Sequence, residues 1–415
     1  MKPRTLTSAL RIASAGFPVV LLTGPRQVGK TTLLQMCAQE ERATAGDAVR
    51  RAYVTLDDLD ARELARRDPA LFLQTWPAPV LIDEVQYAPQ LFSAIKLHVD
   101  RHRRPGDFWL TGSQKFHLMK GISESLAGRV AILDLLGLSQ AEAAGRGAEA
   151  QPFVPTATWL EGARRRAAPV SLQQLYQRIW LGGFPALNEQ GPPARELYFR
   201  SYVQTYLQRD VPELLRVSDL LAFNRFLAAT AARTGQLLNI ASIARDVDID
   251  HKTAGAWLSL LEASGLVYLL HPFHTNLSKR LVKAPKLYFL DTGLAAWLSR
   301  WPDAASLEAG SLSGAMLETW AVTEVIKSWW HSGREAFVHF YRDVDQQEVD
   351  LLIEQGDTLY PVEIKKTASP SQHARRHFRV LEKLGRPIRP GAVLCLVPRD
   401  VPLSADVTAI PMSYL

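Results

Sequence analysis

The apolar positions in the first third of the chain fall into short runs bounded by glycine or charge. Pro18-Val19-Val20-Leu21-Leu22-Thr23 is an apolar run ending at Gly24 and predicts a buried strand. Helical spacing follows through Leu33, Leu34 and Met36. Ala52–Leu56, Val80–Ile82, Phe108–Leu110 and Ala131–Leu136 predict four further strands. Short apolar strands separated by helical segments predict a parallel sheet covered on both faces.

The pattern then shifts. Residues 141–169 are rich in Ala, Gly, Arg and Pro with little apolar periodicity, and read as a linker or surface insertion. From 170 to 235 the spacing is helical, broken at Gly182-Gly183 and Pro185, and 236–272 reads as a compact helical unit. After Gly310 come a long helix, strands, Glu363-Ile364-Lys365, another helix and a last apolar strand near 392–397. The chain carries no internal repeat and no low-complexity tract.

Composition narrows the class. At roughly 150 residues per domain, 415 residues predict two to three domains. With 47% hydrophobic and 22% charged residues, the chain is neither disordered nor fibrous. No apolar run approaches the roughly 18 residues that a membrane span needs, so no membrane partner is expected. The N-terminal segment, broken by Arg11, is a poor signal peptide. Cys37 and Cys395 are the two cysteines; they exclude a disulfide framework or Cys-rich zinc site and suit a reducing cytoplasm. Net charge is 48 − 42 = +6, which accommodates nucleic acid without requiring it.

The chemistry starts at Gly24-Pro25-Arg26-Gln27-Val28-Gly29-Lys30-Thr31, which matches G-x-x-x-x-G-K-[ST] between a strand and a helix. Its glycines let backbone N–H groups face phosphate oxygens. Lys30 neutralises the β/γ-phosphate charge, Thr31 can ligate Mg²⁺, Thr32 continues the binding run, and the helix N-terminus adds its dipole. ATP and Mg²⁺ are the expected cofactors. Val80-Leu81-Ile82-Asp83-Glu84 is an apolar strand ending in two carboxylates. After a phosphate loop, Asp83 is expected to hold Mg²⁺, mostly through water, and Glu84 to polarise the attacking water. Leu110-Thr111-Gly112-Ser113-Gln114 ends a third strand, with Thr111 or Ser113 the candidate γ-phosphate sensor.

These residues, with Leu56-Asp57-Asp58 and Ser125-Leu126-Ala127-Gly128-Arg129-Val130, resemble the AAA+ class of ATPases. The match is to the branch fused to a conserved C-terminal region in bacteria and archaea, and it covers about the first 140 residues. The resemblance implies ATP hydrolysis and assembly as a homo-oligomer, in which arginines, some from a neighbouring subunit, contact the γ-phosphate. Arg129 matches the family's Gly-Arg pair and is the nominated arginine. Arg209 is a second candidate that a structural ion pair also explains. Gly182-Gly183-Phe184-Pro185, Tyr202–Asp210 and Lys286–Leu294 resemble the same family's C-terminal region. Asp291, just before Thr292-Gly293, is read as a structural helix cap.

Leu238–Arg245, a turn over Asp246–Asp250, and Lys252–Leu261 have the spacing of two helices and resemble a winged helix-turn-helix. His251, Lys252 and Thr253 would then stand at the start of a groove-reading helix. Lys279, Arg280, Lys283 and Lys286 follow as a basic stretch that would track DNA phosphates or form a solvated face. Farther on, Asp350 opens the strand Leu351–Ile353, and Glu363 and Lys365 share a strand face by alternation. A hairpin would bring Asp350 and Glu363 together as an oxygen site for Mg²⁺ beside Lys365. The arrangement resembles the PD-(D/E)xK nuclease core over residues 311–415, with Glu318 as the helix acid and Val349 where the family has proline. His271, His274, His331 and His339 lack zinc-site pairing, and Trp329-Trp330 reads as core.

The expected protein is therefore α/β: an N-terminal P-loop AAA+ parallel sheet, a helical winged-helix middle and a C-terminal α/β restriction-endonuclease-like domain. Its boundaries are 1–140, the 141–169 linker, 170–310 and 311–415. The expected function is a Mg²⁺-dependent ATPase acting on DNA, with a nuclease-like module that cleaves or grips it. Two alternatives stay open: an ATP-switched scaffold with an inert nuclease fold, and a signalling NTPase whose winged helix binds protein.

Overall fold

The computed structural model describes residues 2–45, 51–113, 125–215, 220–274, 284–343, 345–371 and 377–415, the side chains at 45, 192 and 206–215 excepted. The first region is built on strands β1 (Val19–Thr23), β2 (Ala52–Thr55), β3 (Val80–Asp83), β4 (Phe108–Gly112) and β5 (Val130–Asp134). They form one parallel sheet in the order β2-β3-β4-β1-β5. Every residue of β1, β3 and β4 is buried. Alternation divides them between two cores. Val19, Leu21, Val80, Ile82, Phe108 and Leu110 pack on one face, while Val20, Leu22, Leu81 and Trp109 pack on the other. Each fully buried Val or Leu contributes about 1.5–3 kcal/mol relative to exposure. Helix α1 (Leu6–Gly16) buries Leu6 and Leu10, and α2 (Lys30–Ala45) buries Leu33 and Leu34, in the second of these cores. Helices α3 (Leu59–Arg67), α4 (Pro69–Thr75) and α5 (Leu91–His102) cover the first. Because β1, β3 and β4 are neighbours and parallel, their C-terminal ends open at one edge, and the phosphate loop leaves from that edge.

The segment 141–169, expected to be a linker or surface insertion, packs part of its length into the core. Phe153 is fully buried, and Trp159, Leu160 and Ala163 of the helix Ala157–Arg166 join the core. Trp329 Nε1 donates to the Phe153 carbonyl at 3.1 Å, and Phe153 N–H donates to Ser328 Oγ at 2.9 Å. Short side chains and arginines hid this packing, since a few large apolar residues are enough to anchor a short helix.

The middle region runs helix Leu220–Ala231, β6 (Gln236–Leu237), helix Ile240–Val247, helix His251–Ala263, β7 (Val267–Leu270) and β8 (Lys286–Phe289). Its sheet is antiparallel in the order β6-β8-β7. Trp257 stands edge-on to Phe223 and Phe226 at 5.1 and 5.4 Å and ties the helices together. Asp250 caps the second helix by accepting from Thr253 N–H at 2.9 Å.

The last region sets the helix Ser313–Trp330 against a six-stranded sheet ordered β13-β14-β12-β11-β10-β9. These are β9 (Val338–Arg342), β10 (Glu348–Gln355), β11 (Thr358–Ile364), β12 (Gly391–Cys395), β13 (Val401–Pro402) and β14 (Val407–Pro411). β9, β10 and β11 are antiparallel, and β11, β12 and β14 parallel. The middle and last regions are continuous: Phe273 N–H donates to the Phe340 carbonyl at 2.6 Å, and Phe340 N–H to the His271 carbonyl at 3.2 Å. Among the described residues no helix is long and apolar enough to cross a membrane.

Candidate nucleotide site and the C-terminal carboxylates

The phosphate loop turns on residues that only a particular backbone allows. Gly24 has φ +140°, and a Cβ there would stand 2.0 Å from the Leu135 carbonyl oxygen. Gly29 has φ +92° and Gln27 φ +62°. Helix α2 then starts at Lys30, with its first N–H groups at the loop. The Lys30 ammonium folds over the loop and donates to the Gly24 and Pro25 carbonyls at 3.0 and 2.8 Å. Arg26, Gln27, Gly29, Thr31, Thr32 and Glu84 line a cleft of about 680 Å³, closed on the far side by Leu138, Pro185, Ala186, Glu189 and Thr205. Val28 points away from it into the core.

The carboxylates meet the loop at the same edge. Thr31 Oγ1 donates to Asp83 Oδ1 at 2.7 Å. The buried Thr111 hydroxyl also donates to Asp83 Oδ1 and accepts from the Glu84 N–H at 3.1 Å. Thr111 therefore positions both acids rather than facing the cleft. Ser113 Oγ donates to Glu84 Oε2 at 3.3 Å, and Gln86 Nε2 donates to the same oxygen. Glu84 itself is left-handed, φ +55°, which costs a non-glycine residue energy and turns its side chain off the strand direction. Burial, with Asp83 alongside, pushes the Tyr53 phenol above its ordinary value. Thr31 hydroxyl, the Asp83 carboxylate and incoming phosphate oxygens form an all-oxygen donor set, which fits Mg²⁺.

Arg129 lies at the other end of the sheet. Its carbonyl accepts from Val19 N–H at 3.2 Å, at the N-terminal end of β1, and its guanidinium donates to Asp100 at 2.6 Å. Five residues of strand, roughly 15 Å, separate it from its own phosphate loop. It cannot serve its own site. The Arg209 side chain, Gln114, Lys279, Arg280 and Lys283 lie outside the described residues.

Sequence reasoning missed Arg4. It is buried, its Nη1 donates to the Val28 carbonyl of the loop at 2.9 Å, and its Nη2 to the Leu136 carbonyl at 2.7 Å. Behind it Glu142, fully buried, stands 3.2 Å from both Arg4 Nε and His331 Nδ1. These partners sit far apart in sequence, so no local signal marks them. Gln86, two residues after Glu84, was within reach of a local reading.

In the last region, the pairing Leu351↔Val362 places Asp350 across from Glu363, as the hairpin expectation had it. A register shift between Val349 and Leu352 falls at Asp350, where a bulge re-aims a side chain. Lys365 Nζ lies 2.7 Å from Glu363 Oε2 and 3.4 Å from Asp350 Oδ2, and the Ile364 N–H donates to Asp350 at 2.8 Å. Burial, with Asp350 alongside, pushes the Glu363 carboxyl up to about 8. Glu318 does not join them as a free metal ligand. Its Oε1 accepts from Lys286 Nζ at 2.9 Å and from the Tyr288 hydroxyl at 2.6 Å. Among the described residues no three His, Cys, Asp or Glu side chains are arranged to hold a metal ion. The expected site of Asp350, Glu363 and Glu318 is thus not formed as it stands, because ammonium groups hold the carboxylates. Lys286, read as part of a basic surface stretch, is buried at 4% exposure and cannot track phosphates there. Asp291 caps its helix through Leu294 N–H at 2.8 Å and also accepts from Gly183 N–H at 2.7 Å.

A phosphate loop, an acidic strand end beside it and a parallel sheet opening at that edge define a P-loop domain of the AAA ATPase type. Residues 16–144 match the AAA domain family model. Residues 172–305 and 313–415 match two domains of unknown function, DUF8612 and DUF4143. Two curated proteins, the uncharacterized protein Rv2008c of Mycobacterium tuberculosis and the uncharacterized protein Mb2031c of Mycobacterium bovis, are each 31% identical over 419 residues, covering 99% of this chain and 84% of theirs. The chain belongs to the family of these proteins. Among solved structures, the Walker-type ATPase PABY2304 of Pyrococcus abyssi overlaps 72% of this chain and 98% of its own at 16% identity and TM-score 0.42. AMPPCP-bound DnaA from Aquifex aeolicus overlaps 62% and 85% at 15% identity and TM-score 0.24.

Proposed function

We propose that this protein hydrolyses ATP with Mg²⁺ and applies the resulting conformational change to DNA. The observation that supports hydrolysis is the Thr31–Asp83–Thr111–Glu84–Ser113 chain of hydrogen bonds, which fixes two adjacent carboxylates at the lip of the phosphate-loop cleft. The loop N–H groups and Lys30 hold the phosphates. Thr31 and Asp83 would hold Mg²⁺, which would supply positive charge to the β/γ-phosphates. Glu84 accepts a proton from the attacking water, and Ser113 and Gln86 hold its carboxylate in place until then. Arg129 acts on a neighbouring subunit's nucleotide, in a homo-oligomer.

The DNA-facing part is the region of residues 236–272, read as a winged helix-turn-helix. Its strand and helix order supports that reading, as do His251 and Lys252, exposed at the start of the capped helix His251–Ala263. Residues 311–415 are a module resembling the PD-(D/E)xK nuclease. Lysine contacts on its carboxylates favour, in this conformation, the second reading, an ATP-switched module that grips DNA without cutting. The test is ATP turnover with and without duplex DNA, in wild type and Lys252→Glu. DNA should stimulate wild type, and the variant should lose the stimulation together with about one unit of salt slope. Equal stimulation of both would remove this helix from the DNA contact.

A further inference from the structure

Strand β8 presents Lys286 and Tyr288 on one face by alternation, and both reach the helix acid Glu318. Lys286 Nζ also stands 2.6 Å from Glu348 Oε1 and 5.7 Å from the centre of the Phe340 ring. It comes from the middle region and ends among carboxylates of the last one. Glu318, Glu348, Asp350 and Glu363 are gathered around Lys286 and Lys365, with Arg342 Nη1 3.5 Å from Glu348. Among the described residues Lys365 reaches the Asp350–Glu363 pair, and Lys286 supplies the charge on the Glu318 side. One acceptor is left over: Glu363 Oε1 is buried without a hydrogen-bond partner, on a residue 4% exposed. A buried carboxyl oxygen with no donor marks a place for a missing cation or water, or for a proton shared with Asp350.

We infer that Lys286 is the resident cation of the C-terminal carboxylate cluster and that its ammonium must leave before a divalent ion can bind there. This rests on reading residues 311–415 as a nuclease-like module. A lysine supplies one charge and only donors, at a position where carboxylates otherwise repel each other. Removing it leaves Glu318 with the Tyr288 hydroxyl and Glu348 with Arg342, beside Asp350 and the unpartnered Glu363 oxygen. That is an all-oxygen, electronegative arrangement of the kind hard divalent cations bind. The contact also joins the middle region to the site: β8 pairs with β7, and β7 follows Gly265, which packs on Pro25 of the phosphate loop. The strand that closes the cluster is thus paired with the strand that follows the contact to the nucleotide loop.

The experiment is Mn²⁺ binding to the full chain without nucleotide, counted by electron paramagnetic resonance. The proteins are wild type, Asp350→Asn, Lys286→Met, Lys286→Arg and Lys286→Met/Asp350→Asn. Lys286→Met should bind an additional Mn²⁺ at least roughly tenfold more tightly than wild type. Lys286→Arg should behave as wild type, and the added Asp350→Asn should abolish the gain. Lys286→Met/Glu318→Gln, which relieves the carboxylate left unpaired, serves if the single variant does not fold. Wild type binding Mn²⁺ as tightly as Lys286→Met, with Asp350→Asn abolishing both, would overturn the closure while leaving the metal-site reading intact. No Mn²⁺ bound at this cluster by Lys286→Met or Lys286→Met/Glu318→Gln, both folded by circular dichroism, would overturn the metal-site reading itself.

Discussion

Glu142→Gln tests how the phosphate loop is held from behind. Glu142 Oε1 accepts from Thr5 N–H at 2.9 Å and faces Arg4 Nε and His331 Nδ1, each at 3.2 Å, while Oε2 accepts from Ser139 N–H at 2.9 Å. Burial alone would raise its pKa, but His331 and Arg4 outweigh it and hold the carboxyl well below the ordinary value of 4.5. Glutamine keeps the shape and removes the charge, leaving the Arg4 guanidinium buried without its anion. Breaking a buried pair in this way costs about 3–5 kcal/mol. Because the folded pKa is depressed, the stabilisation is present above the ordinary carboxylate pKa and is lost as pH falls through it toward the folded value. Urea unfolding at neutral pH should show the variant destabilised by that amount, and the two curves should converge in acid. ATP affinity should fall in parallel, since Arg4 also holds the Val28 carbonyl of the loop. A neutral-pH difference under about 1 kcal/mol, or one that does not shrink in acid, would refute the reasoning.

Two further outcomes follow from the nucleotide site. Gly24→Ala should abolish ATP binding in isothermal titration while helical content persists, because its Cβ would meet the Leu135 carbonyl at 2.0 Å; normal binding would contradict the loop geometry. Arg129→Ala should be inactive alone, and mixing it with inactive Lys30→Ala should restore turnover, since each variant supplies what the other lacks. Failure of the mixture to recover, or an active Arg129→Ala, would remove the shared site.

The phosphate loop and Asp83-Glu84 were legible because their chemistry is written in consecutive residues whose flanking strands are apolar throughout. The Asp350–Glu363 pairing was legible for a similar reason, as a short hairpin with a period of two fixes which residues face one another. The support around these sites was not. Arg4, Glu142 and His331 converge from three distant segments, and nothing local marks any of them. Lys286 looked like a member of a surface run because charge spacing says nothing about burial; only the packing of β8 against the helix Ser313–Trp330 makes it an internal cation. Phe153 and Trp159 were lost among alanines and arginines, so a packed segment read as a linker.

The central claim is that Glu84 activates water for ATP cleavage at this loop. Phosphate release by the purified chain with Mg²⁺ and DNA, in wild type and Glu84→Gln with ATP binding measured on both, tests it most directly. Wild type should turn over, and Glu84→Gln should bind ATP yet hydrolyse it at least about 10²-fold more slowly. Hydrolysis by Glu84→Gln at the wild-type rate would contradict the account.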